Sequence, residues 1–298
     1  VARRCGARLI VDVQDDWIGN FSRMFPRGLR WSAPLILRPW IAATRAAYEA
    51  ADAIVGVAAP YADDPRRFGR RDYRRLVIPL GIDLGSFDSA ARIGRCLPGD
   101  KPAGEIWSIY GGSLSRSYDV LTVARVAAEI SSRRPNVRFV FSGRGELESQ
   151  ARCILEGAPR SVFLGFAPFE DWAATIARCD VGWNAVRPDA LVWFPNKIFY
   201  YWAAGLAIMN TIPGECAEWV ERTGSGVTYA CGDAGDAVRR FEELIADPQR
   251  LGERRIAARR SAGERWDRRR LYEPYVGLIR ELAAGRGAAP CEGRPTHT

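Results

Sequence analysis

At 298 residues, with 47% apolar and 11% aromatic side chains, the chain has room for two domains and enough apolar mass to bury a core, which excludes global disorder. The formal net charge is +8, and residues 1–80 hold 14 Arg against 8 acidic residues, so an anionic partner is expected (a membrane surface, nucleic acid or a phosphorylated substrate) unless the arginines reflect codon bias alone. The seven cysteines (5, 96, 153, 179, 216, 231 and 291) make no CxxC pair, which argues against a disulfide framework or zinc site, and no apolar run of about 18 residues marks a membrane span.

The opening VARRCGARLIVDV reads as the approach to a buried strand at 9–13 and not as a signal peptide; the strand ends in Gln14-Asp15-Asp16-Trp17. A helix is expected over 34–51 and strands at 53–58 and 75–79, with an arginine-rich loop at 65–75 and a turn at 79–83. A second unit opens near 105 with strand 107–112, amphipathic helix 118–132, a strand and Gly-rich turn over 138–146, helix 147–156, strand 161–165, helix 169–178 and strand 181–186. Helix 197–204, strand 207–211, helix 215–222, strand 226–230 and helices 233–246 and 248–262 complete it. A last helix spans 268–284, and the tail beyond is expected to be disordered. Strands and helices alternate through short connections, which predicts doubly wound parallel sheets.

One segment carries more chemistry than the rest. Among 43 basic residues only Lys101 and Lys197 are lysine, and Lys197 lies in FPNKIFYYWAAG, residues 194–205. In a chain that uses arginine wherever charge alone matters, a retained lysine marks a position needing a compact ammonium. Pro195-Asn196 makes a turn, Lys197 opens an apolar helix and Gly205 ends it, so an ammonium sits beside a helix N-terminus, a natural phosphate site. Gly143-Arg144-Gly145-Glu146 lacks the GxxxxGK[ST] of a nucleotide-hydrolysing loop and reads equally well as a plain strand-to-helix turn. MFPRGLRWSAPLILRPW (24–40) mixes Arg with Trp, Phe and Leu, as a segment lying on an anionic bilayer does, or as a helix packed on its sheet does. RRFGRRDYRR (66–75) is basic with two aromatics but belongs to no nucleic-acid-binding motif.

Six segments in order resemble a family-4 glycosyltransferase of the bacterial polysaccharide-assembly type: VIPLGIDLGSF (77–87), YGGSLSRSYDVLTVARVA (110–127), FVFSGRGELE (139–148), VFLGFAPFEDWAATIARCDVGWNAV (162–186), FPNKIFYYWAAGLAIM (194–209) and GECAEWVERTGSGVTY (214–229). The resemblance implies the α/β GT-B fold, two Rossmann-like doubly wound parallel-sheet domains. The N-terminal one is expected to be incomplete, lacking roughly a hundred residues for a domain of ordinary size. The expected parts are a partial acceptor-side domain at 1–83, a nucleotide-sugar donor domain at 84–264, a helix at 265–285 packing back on the first domain, and the tail 286–298.

The implied reaction moves a sugar from a nucleotide diphosphate to a glycan or lipid-linked acceptor with retention of configuration. It needs no cofactor and no metal; protein cations and helix N-termini neutralise the leaving diphosphate. On that reading Lys197 and Arg116 meet the diphosphate, and Gly111, Gly112, Ser113, Gly143, Arg144, Phe166, Pro195, Asn196, Tyr200 and Glu218 hold the donor. The family's cations of the first donor loop fall on Ser113 and Tyr118, and its ribose-binding glutamate on Tyr200, so ribose recognition has to be rebuilt from Glu218, Asp189 or Tyr200. The family's histidine position is Gln14; Asp15 is the candidate for orienting the acceptor hydroxyl, or else Asp15 or Asp16 caps the next helix. The expected location is cytoplasmic, with peripheral contact at the inner face of the plasma membrane and no nucleic-acid partner. The alternative is a nucleotide-sugar-binding module that catalyses nothing.

Overall fold

The computed structural model describes residues 5–284; the tail 286–298, expected to be disordered, lies outside the described residues, as do Cys291 and His297. The chain divides into two units: residues up to Ile78 together with those from Leu271 on, and Pro79–Arg270.

In the first unit, short runs make strands β1 (Ile10–Val13), β2 (Ala53–Gly56) and β3 (Arg74–Val77), parallel in that order. The central strand β2 is buried along its whole length. Between β1 and β2 run helices α1 (Trp17–Met24), α2 (Ala33–Ile36) and α3 (Arg38–Ala50); α4 (Ala59–Ala62) follows β2. The sequence reading gave α1 no bounds, offering only Asp15 or Asp16 as a cap; the helix starts where the Asp16 carboxylate accepts the Gly19 N–H at 2.8 Å. The single helix expected over 34–51 is broken at Leu37, because Pro39 has no N–H to give the Leu35 carbonyl and its ring crowds that turn. The basic loop 65–75 is partly neutralised by carboxylates outside it: Arg67 pairs with Asp16 and Asp64 at 2.7 and 2.8 Å, and Arg75 with Asp63 at 2.9 Å.

The second unit begins with α5 (Leu84–Ile93), capped by Asp83, which accepts the Ser86 N–H at 2.9 Å. It continues β4 (Ile106–Gly111), α6 (Val120–Arg133), β5 (Val137–Ser142), α7 (Glu148–Ile154), β6 (Ser161–Gly165), α8 (Phe169–Arg178), β7 (Val181–Asn184), α9 (Asn196–Ala203), β8 (Ala207–Asn210), α10 (Glu215–Arg222), β9 (Gly226–Thr228), α11 (Ala234–Ile245) and α12 (Pro248–Arg265). The six strands pair in parallel in the order β6-β5-β4-β7-β8-β9. Chain order reverses around β4, and ligands of such sheets bind beyond the strand C-termini at that switch.

Both faces of this sheet are covered. Valines and alanines of α6 recur at helical spacing and pack with Phe241 of α11 on Phe139, Phe141 and Trp183. Elsewhere in the unit Trp202 of α9 stacks on Trp266 at 5.4 Å, so Trp202 is a packing residue.

The helix expected over 268–284 is two, α13 (Arg268–Leu271) and α14 (Glu273–Ala284), broken where Pro274 cannot donate to the Arg270 carbonyl. Leu278 of α14 is buried against Ala53, Val55 and Ile78 of the first unit. No helix among the described residues is long and apolar enough to cross a membrane.

Candidate active site

The C-terminal ends of β4, β5 and β6 open onto a cavity of about 580 Å³, closed on its other side by the first turns of α8 and α9. Two glycine loops form its floor. The Gly112 N–H donates to the Ser142 carbonyl at 2.8 Å, the Leu114 N–H to Arg144 at 2.9 Å and the Gly143 N–H to Gly165 at 2.8 Å, so the loops extend the sheet past its last ladder rung. Gly112 and Gly143 sit at φ +131° and +135°, and a Cβ on Gly143 would lie 1.8 Å from the Gly112 carbonyl oxygen. Only glycine lets the two loops touch and leaves backbone bare toward the cavity.

Helix α9 supplies the charge. Its N-cap is Pro195, in extended backbone, which offers no side-chain cap, so the first N–H groups face the cavity with their dipole uncompensated. Gly111 and Gly182 permit α9 to come so close: a Cβ on Gly182 would lie 2.7 Å from the Tyr201 ring, and the Tyr201 hydroxyl accepts the Gly111 N–H at 2.8 Å. Lys197, one residue into the helix, lines the cavity. Its Nζ is buried and has no hydrogen-bond partner. The ammonium lies 4.3 Å from the Tyr118 ring centroid and 4.5 Å from that of Tyr110, and a Cβ on Gly112 would be 3.4 Å from it. Ring faces attract a cation without satisfying its N–H donors. Burial therefore drives the Lys197 pKa down from 10.5 to about 7. A buried ammonium with no counter-charge is a site awaiting an anion.

The remaining wall is aromatic. Phe166 is 75% exposed. Tyr200 packs edge-on against Trp172 at 5.2 Å and Phe169 at 5.8 Å. Arg144 also lines the cavity, and no carboxylate pairs with it among the described residues. Thus Gly111, Gly112, Ser113, Gly143, Arg144, Phe166, Asn196, Lys197 and Tyr200 are brought together. Phe169 and Trp172 were missed, although their i, i+3 spacing at the start of the helix after β6 puts both on one face.

Three expected residues go elsewhere. Arg116 pairs with Glu146 at 3.4 Å and lines a second hollow, of about 440 Å³, with Asp119, Arg125 and Arg187. Asp189 lines the same hollow, 3.3 Å from Arg187. Glu218 is exposed on α10, 3.8 Å from Arg222. The turn at Ser115–Tyr118, closed by the Tyr118 N–H on the Ser115 carbonyl, carries Arg116 away from the Lys197 cavity. Asp15 belongs to the first unit, where its carboxylate accepts from Asn20 at 2.9 Å and burial raises its pKa; Asp16, not Asp15, caps α1. Among the described residues no group of three or more His, Cys, Asp or Glu could hold a metal ion.

Residues 108–247 match the family model described as "Glycosyl transferases group 1". The matched stretch, just under half of the chain, resembles a group 1 glycosyltransferase domain. It spans β4 to α11 and so holds every element that lines the Lys197 cavity. Three solved structures resemble 94–95% of the chain. The Anabaena protein HepE, solved with UDP, is 16% identical, with 94% of this chain and 74% of that one covered and a TM-score of 0.68. The sucrose-phosphate synthase of Thermosynechococcus elongatus is 18% identical over 95% and 76%, at 0.69. A glycosyltransferase from Rickettsia africae is 11% identical over 95% and 78%, at 0.66. At these identities the likeness is one of fold, and the fold is of the GT-B type. No curated protein matches the chain by sequence.

Proposed function

We propose that the protein is a retaining glycosyltransferase of family-4, polysaccharide-assembly type, which moves a sugar from a nucleotide diphosphate sugar to a glycan or lipid-linked acceptor on the cytoplasmic side without a bound metal. The observation that carries this reading is the buried, unpartnered Lys197 ammonium at an uncapped helix N-terminus, facing two bare glycine loops. When the bond between the sugar carbon and the diphosphate oxygen breaks, the electron pair stays on that oxygen, and Lys197 with the α9 N–H groups meets the new charge. Gly112 and Gly143 let the phosphates approach backbone, while Phe166 and Arg144 hold the base. Tyr200 replaces a ribose-binding carboxylate with a single hydroxyl. Asp15 orients the acceptor hydroxyl. HepE, a neighbour in fold, was solved with UDP and with UDP-glucose, which supports a uridine donor.

The test is thermal unfolding against UDP-, GDP- and ADP-sugars with chelator present. Stabilisation by one of them is expected; a folded sample that responds to none overturns the reading. A second reading, donor binding without turnover, is favoured by one observation: among the described residues no carboxylate lines the cavity. It predicts the same thermal shift but no transfer or hydrolysis of the bound sugar.

A further inference from the structure

Residues 17–48 contain five arginines, at 23, 27, 30, 38 and 45, and not one carboxylate. Of the fifteen large apolar side chains exposed among the described residues, seven fall between residues 21 and 40. Met24 is 77% exposed, Trp31 72% and Leu35 66%; Phe21, Ile36 and Trp40 are about half exposed. Single exposed apolar groups are ordinary, but a concentration of this kind marks a contact surface.

The local structure explains why they stay bare. In α1, Trp17, Phe21 and Met24 fall at i, i+4 and i+7, a single apolar stripe, yet α1 buries no residue at all. Helix α2 buries only Ala33, and α3 only Tyr48. Arg30 reaches the Phe25 and Arg23 carbonyls, and no carboxylate pairs with Arg30, Arg38 or Arg45 among the described residues. The other basic segment of the same unit is different, since Arg67 and Arg75 are held by Asp16, Asp63 and Asp64.

We propose that residues 17–40 dock the first unit on an anionic phospholipid bilayer, with Trp31, Trp40 and the neighbouring aliphatic side chains entering the headgroup boundary and the arginines lying on lipid phosphates. Tryptophan favours that boundary, an amphipathic helix lies flat in it, and arginines of one sign complement its charge. A protein interface is a poorer fit, because its buried centre is depleted of charge. A nucleic-acid groove has no use for exposed Leu, Ile and Met beside the aromatics. The inference does not rest on the Lys197 cavity.

Sedimentation with vesicles tests it. The full chain should pellet with phosphatidylcholine vesicles containing about 30% phosphatidylglycerol, at least tenfold more than with phosphatidylcholine alone, and release in high salt. Trp31→Ala with Trp40→Ala should cut binding about tenfold, and Arg30→Glu with Arg38→Glu should abolish it. Both double variants change exposed positions, so circular dichroism and the UDP-sugar thermal shift should match wild type. Three results would each overturn the proposal: no pelleting with anionic vesicles, pelleting unchanged in both variants, or a dimer seen by light scattering without lipid that W31A/W40A dissociates.

Discussion

The two lysines of this chain occupy opposite ends of one sheet and live by opposite rules. At the N-terminal end, Lys101 is paired with Asp180, whose carboxylate also accepts the Trp107 N–H at 2.7 Å and pairs with Arg255 at 2.7 Å. Every charge there has a partner, and the network ties β4, β7 and α12 together. At the C-terminal end, Lys197 has two ring faces and no counter-ion. One end spends its lysine on the fold. The other keeps an unsatisfied charge, which costs stability until something negative arrives.

Breaking each end should therefore give different phenotypes. Lys197→Met keeps the length and apolar stem and removes the charge. Sugar transfer, followed by release of the nucleotide diphosphate, should fall at least about 100-fold, in line with removing one preorganised electrostatic contact. The folded state should not weaken. Folding lowers the Lys197 pKa from 10.5 to about 7, so the lysine burdens the fold fully below pH 7 and progressively less as pH rises toward 10.5. The melting temperature of Lys197→Met should equal or exceed wild type, most clearly below pH 7. Wild-type turnover in this variant would sink the assignment of the site.

The opposite end predicts the reverse. Asp180→Asn leaves Lys101 and Arg255 facing a neutral amide in a buried position and should cost roughly 3–5 kcal/mol in denaturant unfolding. The fraction still folded should bind donor with unchanged affinity. A loss of donor binding without loss of stability would erase the contrast between the two ends.

Much of this contrast was legible before any coordinates. The scarcity of lysine singled out Lys197, and the alternation of strand and helix gave the parallel sheet and the glycine loops at its C-terminal ends. Direction was not legible. Arg116 lies four residues from Gly112, but a turn aims it at Glu146 and the second hollow. Glu218 follows Gly214 in a familiar pattern, yet α10 presents it to solvent. Proline breaks at Pro39 and Pro274 were readable but were overridden by long apolar periodicity. Only the cap of α1 was legible, because its stripe of Trp17, Phe21 and Met24 is short and buries nothing, so no core periodicity marked its extent.

The pH dependence of binding sharpens the comparison further. A UDP-sugar carries a diphosphate esterified at both ends, which does not titrate in this range, so a change in affinity between pH 6 and 8 reports the protein. Binding holds Lys197 charged, whereas the empty site loses its proton near pH 7. Affinity should be flat below pH 7 and fall about tenfold per unit above it, with one proton taken up per donor bound at pH 8. Calorimetry in two buffers of different ionisation enthalpy measures that uptake directly. Affinity independent of pH from 6 to 8 would mean that Lys197 does not meet the diphosphate.

The smallest effect concerns the aromatic rim. Phe166 stands 75% exposed at the mouth of the cavity, where its ring has little of the protein to pack on. An exposed phenyl with no packing role should be cheap to remove, and Phe166→Ala should leave the melting temperature within a degree or two. If the ring stacks on the donor base, the same change should weaken UDP-sugar binding by about 1–3 kcal/mol, roughly thirtyfold at its midpoint. It should spare inorganic pyrophosphate, which has no base to stack. Equal weakening of both ligands would place Phe166 at the phosphates and move the base to the other side of Arg144.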